Sequence, residues 1–434
     1  MRSEEIVSWL AYIESTTHGL SDTPRLGDPT STNTHQHHPP SPPGSPRKRL
    51  GMDDPKSPAP KRQKVHEDPN RTPKASSSSR QGLGYLRTMS PTTSLPAPTP
   101  TPTASDTQSS ASGRFSPSKQ LASLEISTEG VEQRKLSLAD PSLPPALSDL
   151  LLELQSCSSS GVGIVSSTLR AEIRERAKID ATFRVFMDHM YSDQLGPTLP
   201  VDEATRLVEE AAECQVSKQN ELGWNQMVHN PLLYSAIYGR RRRDQLVGFA
   251  PCTTAKIIRE YLPATTPAKM VDYCVYFDPK ADPVASEAIQ TLRRSLVSQV
   301  INHSDFQPFR KRPIAISIET KSRDRTRPEV AALQIGTWHS AQWRFLEHLV
   351  NRSDGSFDGL PFLPAVLVHG HDWSFAATTR EGRKTVLWLQ HPFGSSSDVV
   401  GVYKTVWCLQ RLAQWAAEVY LPWFRENCLG VGQR

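Results

Sequence analysis

No Cys-x-x-Cys pair occurs in the 434 residues, and the six cysteines, Cys157, Cys214, Cys252, Cys274, Cys408 and Cys428, stand far apart. That spacing excludes a zinc ribbon and a dithiol redox motif, and it fits buried thiols in a reducing compartment. No apolar run approaches the roughly 18 residues that a membrane-spanning helix needs. The first residues, MRSEEIVSWLAYIES, carry acids where a secretory leader would have a basic and then an apolar run. The expectation is therefore a soluble, intracellular protein with no membrane partner. Charge of one sign is not in large excess either: the net value is +5, so the chain as a whole is no polycation. Large apolar side chains are scarce in the first third, where 21 of the 36 prolines precede residue 146 while eight of the nine tryptophans follow residue 223. Such a segment cannot bury enough apolar surface to offset the entropy lost on folding.

Composition thus divides the chain into a tail and one folded body. Residues 1–17 read as a short amphipathic helix, with Ile6, Leu10 and Ile13 on one face and Trp9 beside them. Residues 18–140 read as a long disordered N-terminal tail rich in Pro, Ser and Thr. Within it, RKRLGMDDPKSPAPKRQKV (47–65) holds two basic clusters around a proline-containing spacer. Exposed, flexible Lys and Arg groups of this kind suit the acidic groove of a nuclear import receptor, which predicts a nuclear location. Neighbouring Ser-Pro and Thr-Pro pairs would add negative charge there on phosphorylation.

The body, residues 141–430, starts with helical text. PPALSDLLLELQS (144–156) has prolines at a helix start and a leucine face, and 167–191 keeps apolar residues three and four apart. VDEATRLVEEAAECQ (201–215) is acidic in its first turn, as the helix dipole favours. The next helix is expected to stop at Asn230, because Pro231 disfavours helical geometry just before it. Strands are then expected at 254–262, 270–277, 314–321, 364–381 and 384–390, with a hairpin at Glu381-Gly382-Arg383. Helices are expected at 281–303, 328–352 and 399–427. That order predicts a mixed α/β body with a central sheet and helices on its faces.

The strand IAISIETK (314–321) ends in charge. Residues two apart point the same way, so Glu319 and Lys321 share a face, about 7 Å apart at roughly 3.3 Å per residue, while Thr320 points opposite. Two other acid-x-Lys triplets, Asp54-Pro55-Lys56 and Asp278-Pro279-Lys280, carry a central proline and cannot lie in a central strand. A second acid, Asp272, opens the apolar run VDYCVYF, 47 positions before Glu319. Two acids at strand ends in one sheet are costly unless paired or bound to a metal.

The order Asp272, then Glu319-Thr320-Lys321, resembles the PD-(D/E)XK nuclease superfamily, with Val271 in place of proline. Glu221, in NELGWNQMVHNPLL, matches an additional acid on the helix before the first strand, and Gln334-Ile335-Gly336-Thr337-Trp338 matches a glutamine-x-x-x-aromatic element. With WNxxVH-PLL, VDY, LQIGxWH and the Trp-rich last helix, residues 140–427 resemble a fungal group of PD-(D/E)XK nuclease-like proteins. The resemblance implies a restriction-endonuclease-like α/β fold. It implies Mg²⁺ or Mn²⁺ held by Asp272, Glu319 and the Thr320 carbonyl, with Glu221 as an outer ligand. Lys321 would orient the attacking water, Gln334 would support the site, and DNA would be the substrate. The alternative is a catalytically inactive module of the same fold that binds nucleic acid or a protein.

Other clusters carry two readings. Arg240, Arg241, Arg242 and Arg243 follow the Glu221 helix and are either a phosphate clamp for nucleic acid or a solvated loop. His369 and His371, expected on one strand face near Asp372, lack a third well-spaced ligand and read as a packed or hydrogen-bonded pair. Trp407, Trp415 and Trp423 read as core, and His35, His37 and His38 as incidental. Nothing in the sequence specifies an oligomeric state.

Overall fold

A computed structural model describes residues 116–193, 196–239, 245–262, 269–322 and 328–432. The helix expected at 1–17, the tail up to residue 115 with its basic clusters at 47–65, and Arg240, Arg241, Arg242 and Arg243 lie outside the described residues.

Two early elements correct the expected boundary at residue 140. Helix α1 (Pro117–Ile126) is capped by Ser116, whose hydroxyl accepts from the Lys119 N–H, and β1 (Val131–Lys135) pairs in parallel with β9 (Lys384–Ser395). Composition hid this strand because VEQRK has one apolar residue, Val131, which is buried at the sheet edge. Next come α2 (Pro145–Ser160), β2 (Val165–Ser166), α3 (Arg170–Ile179), β3 (Tyr191–Ser192) and α4 (Val201–Val216). The long helix expected over 167–191 breaks at Asp180, whose carboxylate accepts from both the N–H and the hydroxyl of Thr182.

Helix α5 (Glu221–Trp224) runs through a π-helical turn (Asn225–His229) straight into α6 (Asn230–Tyr238). The expected stop at Pro231 does not occur. The widened turn, closed by the Asn230 N–H on the Asn225 carbonyl, receives a residue that has no N–H to give.

Seven strands form one mixed sheet in the order β1-β9-β8-β7-β6-β5-β4. Its remaining members are β4 (Val247–Pro251), β5 (Tyr273–Phe277), β6 (Ile314–Lys321), β7 (Leu363–His369) and β8 (Asp372–Glu381). The expected strand at 254–262 is instead a turn, an isolated bridge from Ile257 to Ser304 and a 3₁₀ turn at Arg259–Tyr261. Its Ala255, Ile257 and Tyr261 side chains are buried without a full ladder, so alternation there marks burial rather than pairing. The expected strand at 364–381 is two strands, which reverse at Gly370 with φ +56°. His369 therefore ends β7 and His371 lies in the turn, rather than both lining one strand face.

Helix α7 (Pro283–Arg293) is shorter than the expected 281–303, ending before positive φ values at Ser298 and Gln299. It loops out of the sheet, so β5 and β6 still pair directly, antiparallel. Register places Ser317, Ala365 and Ala376 on the face shared by Glu319 and Thr378. The long helix α8 (Pro328–Arg352) covers that face, where His339 Nδ1 and Trp343 Nε1 both meet the Thr378 hydroxyl. Tyr273, paired with Ile318, points to the other face and donates its hydroxyl to the Asn225 carbonyl, so α5 and α6 lie there. Helix α9 (Val399–Trp415), a second π turn (Ala416–Tyr420) and α10 (Leu421–Asn427) complete the body. Trp415 and Trp423 are buried and stack on Phe362 and Phe357, and Trp407 packs against the same core. The architecture is a mixed α/β body with a large central sheet flanked by helices.

Candidate functional site

All eight residues of β6 are buried, as β-branched text in a central strand favours, and the charged end lies inside as well. Glu319 is fully buried and Lys321 6 % exposed. Lys321 Nζ forms an ion pair with Glu319 Oε1, donates to the Thr320 carbonyl at 2.7 Å and reaches Glu221 Oε2 at 3.1 Å. Glu319 Oε1 is held by that ion pair, and Oε2 has no hydrogen-bond donor. Burial pushes the Glu319 carboxyl well above the usual range. Asp272 adds to this, Lys321 opposes it and Glu221 again adds. Burial pulls the Lys321 ammonium down, but Glu319, Asp272 and Glu221 outweigh it and hold the group above its ordinary value.

Asp272 sits at the start of β5, where its N–H donates to the Ile318 carbonyl at 3.1 Å. Its Oδ2 accepts from both the N–H and the hydroxyl of Thr320, each at 2.8 Å. Thr320 does project opposite to Glu319 and Lys321, and there its side chain becomes a holder of Asp272. Alternation along one strand could not show that partner, because it belongs to the neighbouring strand.

Glu221 opens α5 behind the cap residue Asn220, whose side chain accepts from the Gly223 N–H at 2.9 Å. Burial raises the Glu221 carboxyl, Lys321 opposes the rise and Asp272 adds to it. Gln334 lies on α8 and donates to the Met270 carbonyl at 3.1 Å, two residues before Asp272. It therefore reaches the backbone leading into the site rather than a carboxylate. The structure brings together Glu221, Asp272, Glu319, Thr320 and Lys321, with Gln334 one step behind. Arg240 to Arg243 fall outside the described residues.

A family model of the PD-(D/E)XK nuclease superfamily matches residues 172–421. The chain belongs to the PD-(D/E)XK nuclease superfamily. No curated protein and no solved structure matches it.

Among the described residues no group of three or more His, Cys, Asp or Glu side chains is arranged to hold a metal ion. A superfamily metal would therefore depend on two carboxylates with a main-chain oxygen, and the donor set here can be tested for that. Glu319 Oε2 is buried without a donor, and the Lys321 ammonium shows that Glu319 Oε1 and the Thr320 carbonyl, 2.7 Å from Nζ, can face one cation together. Of the Asp272 oxygens, Oδ1 takes part in neither bond to Thr320. Hard oxygen donors in this arrangement suit Mg²⁺ or Mn²⁺. The residues present fit the group.

Sequence reasoning does not assign two neighbours, His229 and His369, to the site. His229 Nε2 donates to the Gly370 carbonyl at 2.9 Å, and the Gly370 N–H donates to the Lys321 carbonyl at 2.8 Å. His369 pairs in register with Lys321, and its Nε2 is buried without a hydrogen-bond partner. Burial and then Lys321 lower its pKa. The WNxxVH text was the available signal for His229. Its partner lies 141 residues away, beyond any local pattern.

Proposed function

We propose that this chain is a Mg²⁺-dependent nuclease that hydrolyses DNA phosphodiester bonds. The observation that carries the reading is the Glu319 carboxylate, fully buried between a second acid and a single lysine that it shares with Glu221. One ammonium among three acids leaves negative charge in excess, which is costly in a buried site and which a hard cation offsets. Asp272, Glu319 and the Thr320 carbonyl would hold the ion, and it would supply charge stabilisation at the scissile phosphate. Thr320 fixes the orientation of Asp272 through its two donors. Lys321, held as an ammonium by three carboxylates, orients the attacking water and stabilises charge developing on the phosphate. Glu221 is a second carboxylate on Lys321, at 3.1 Å, and Gln334 anchors the strand entry at Met270. The water oxygen bonds to phosphorus as the bond to the leaving oxygen breaks; the electron pair departs with that oxygen, which ends as a hydroxyl carrying the proton that the water gives up through solvent.

A second reading has its own support: Lys321 already neutralises Glu319, as a nucleic-acid-binding module without turnover would also require. Nicking of supercoiled DNA separates the two. Cleavage by the wild-type chain in Mg²⁺, lost with EDTA and lost in Glu319→Gln, supports the enzyme. Binding without cleavage supports the module. In either case the proposed location is the nucleus, through residues 47–65, and a reporter that stays cytoplasmic on that segment would overturn this.

A further inference from the structure

The π turn between α5 and α6 is docked at both ends on the strands that carry the candidate site. At its start, the Asn225 carbonyl accepts the Tyr273 hydroxyl at 3.1 Å, and Tyr273 follows Asp272 directly. At its end, His229 donates through Nε2 to the Gly370 carbonyl, and the same peptide turn donates from Gly370 N–H to the Lys321 carbonyl. His229 is itself held: Nδ1 lies 2.9 Å from Asn225 Oδ1, and the ring stacks on Trp224 and meets Trp373 edge-on. Gly370 supplies the positive φ that this turn requires.

From this geometry we infer that His229 is a positioning residue for the proposed reaction. Through the Gly370 peptide it sets the helix bearing Glu221 against the strand bearing Lys321. The inference rests on the nuclease reading for its catalytic consequence, but the clamp has a consequence of its own. Glu221 lies two helical turns before His229 and is only partly buried, so its contact with Lys321 depends on where the π turn seats the helix. A neutral imidazole with its proton on Nε2 suits this task, since burial pulls its pKa down to about 4, and Nδ1 then accepts from Asn225 once that amide turns its NH2 to the ring. An i→i+4 turn with an apolar residue at 229 would leave the Gly370 carbonyl buried without this donor.

The test uses the full chain with His229→Phe, which keeps a ring and loses both bonds, and His229→Gln, which returns a donor near the Nε2 position. The expected result is a cleavage rate at saturating Mg²⁺ lowered about a hundredfold in His229→Phe, the loss that a displacement of about 1 Å produces. KM for DNA stays unchanged, and His229→Gln recovers most of the rate. A second measurement is independent of catalysis and metal. Glu221→Gln should shift the urea midpoint in the wild-type background, and shift it far less in the His229→Phe background. Equal shifts in both backgrounds, or a His229→Gln rate no better than that of His229→Phe, overturn the inference. If the wild-type chain does not cleave DNA, the nuclease reading falls and the urea cycle alone decides the clamp.

Discussion

Two buried polar regions meet the long helix α8 and are built in opposite ways. At the end of β6, Lys321 keeps its charge inside the protein among Glu319, Asp272 and Glu221, although burial disfavours the Glu319 carboxylate. Further along the same helix lie His303, Ser304, Trp338 and His339. His303 and Trp338 are in edge contact at 4.3 Å, and both His303 nitrogens, the Ser304 hydroxyl, Trp338 Nε1 and His339 Nε2 have no hydrogen-bond partner. Burial holds these imidazoles neutral: it drives His339 down to about 3, and it drives His303 down as well, with His339 adding to that effect. The neutral cluster shows how this core accommodates an unpaired polar group, by withholding charge. Charge retained at the end of β6 therefore calls for a purpose that packing alone does not supply.

The largest effect should come from breaking the charged region. Lys321→Ala strands Glu319, and the expected loss is about 3–5 kcal/mol of stability by urea unfolding. Pairing Lys321→Met with Glu319→Gln should recover most of that stability while cleavage stays absent. Recovery of both would remove the functional distinction between the two regions.

Adding a divalent cation should affect only the charged region. Mn²⁺ at about a hundredfold excess over its Kd is expected to stabilise the folded chain by about 2.7 kcal/mol, read by thermal unfolding. Asp272→Ala should abolish the shift, and a shift that survives the substitution would place the ion elsewhere.

Acid should find the neutral imidazoles first. Their folded-state pKa values lie below the ordinary 6.5, at about 4 for His229 and about 3 for His339. The unfolded chain then binds more protons, so stability is complete above 6.5 and falls as pH drops from there towards those values. Between about pH 7 and pH 5 the expected loss is roughly 2 kcal/mol for each such group. A chain equally stable at both values would show that these rings exchange with water.

The smallest effect should follow Gln334→Ala, which removes one bond to the Met270 carbonyl. About 1 kcal/mol of stability is expected to be lost, with cleavage reduced but present.

What could be read beforehand follows from the range of the physics involved. Alternation along β6 and the proline in each rival triplet isolated Glu319 and Lys321, because both are local facts. Asp272 was legible as an acid before an apolar run, yet its hold by the Thr320 hydroxyl was not, since that bond crosses between strands 48 residues apart in sequence. The clamp from His229 through Gly370 was hidden for the same reason. Pro231 misled the helix boundary because a π turn relaxes the rule that was applied. Residues 254–262 misled the strand assignment because burial alternates there without a partner strand.

One consequence concerns the order in which the sheet can close during synthesis. Val131 of β1 pairs with Thr385 of β9, a separation of 254 positions (385 minus 131), so the edge strand nearest the tail has no template until nearly the whole body has been made. Closing so distant a pair is slow, and until then β9 would offer an open edge to other chains. The segment around residue 131 is thus a late fastener on the sheet. A chain trimmed at residue 141, where composition draws the boundary, is expected to emerge with that edge unpaired and to aggregate, whereas one beginning at residue 116 keeps it closed.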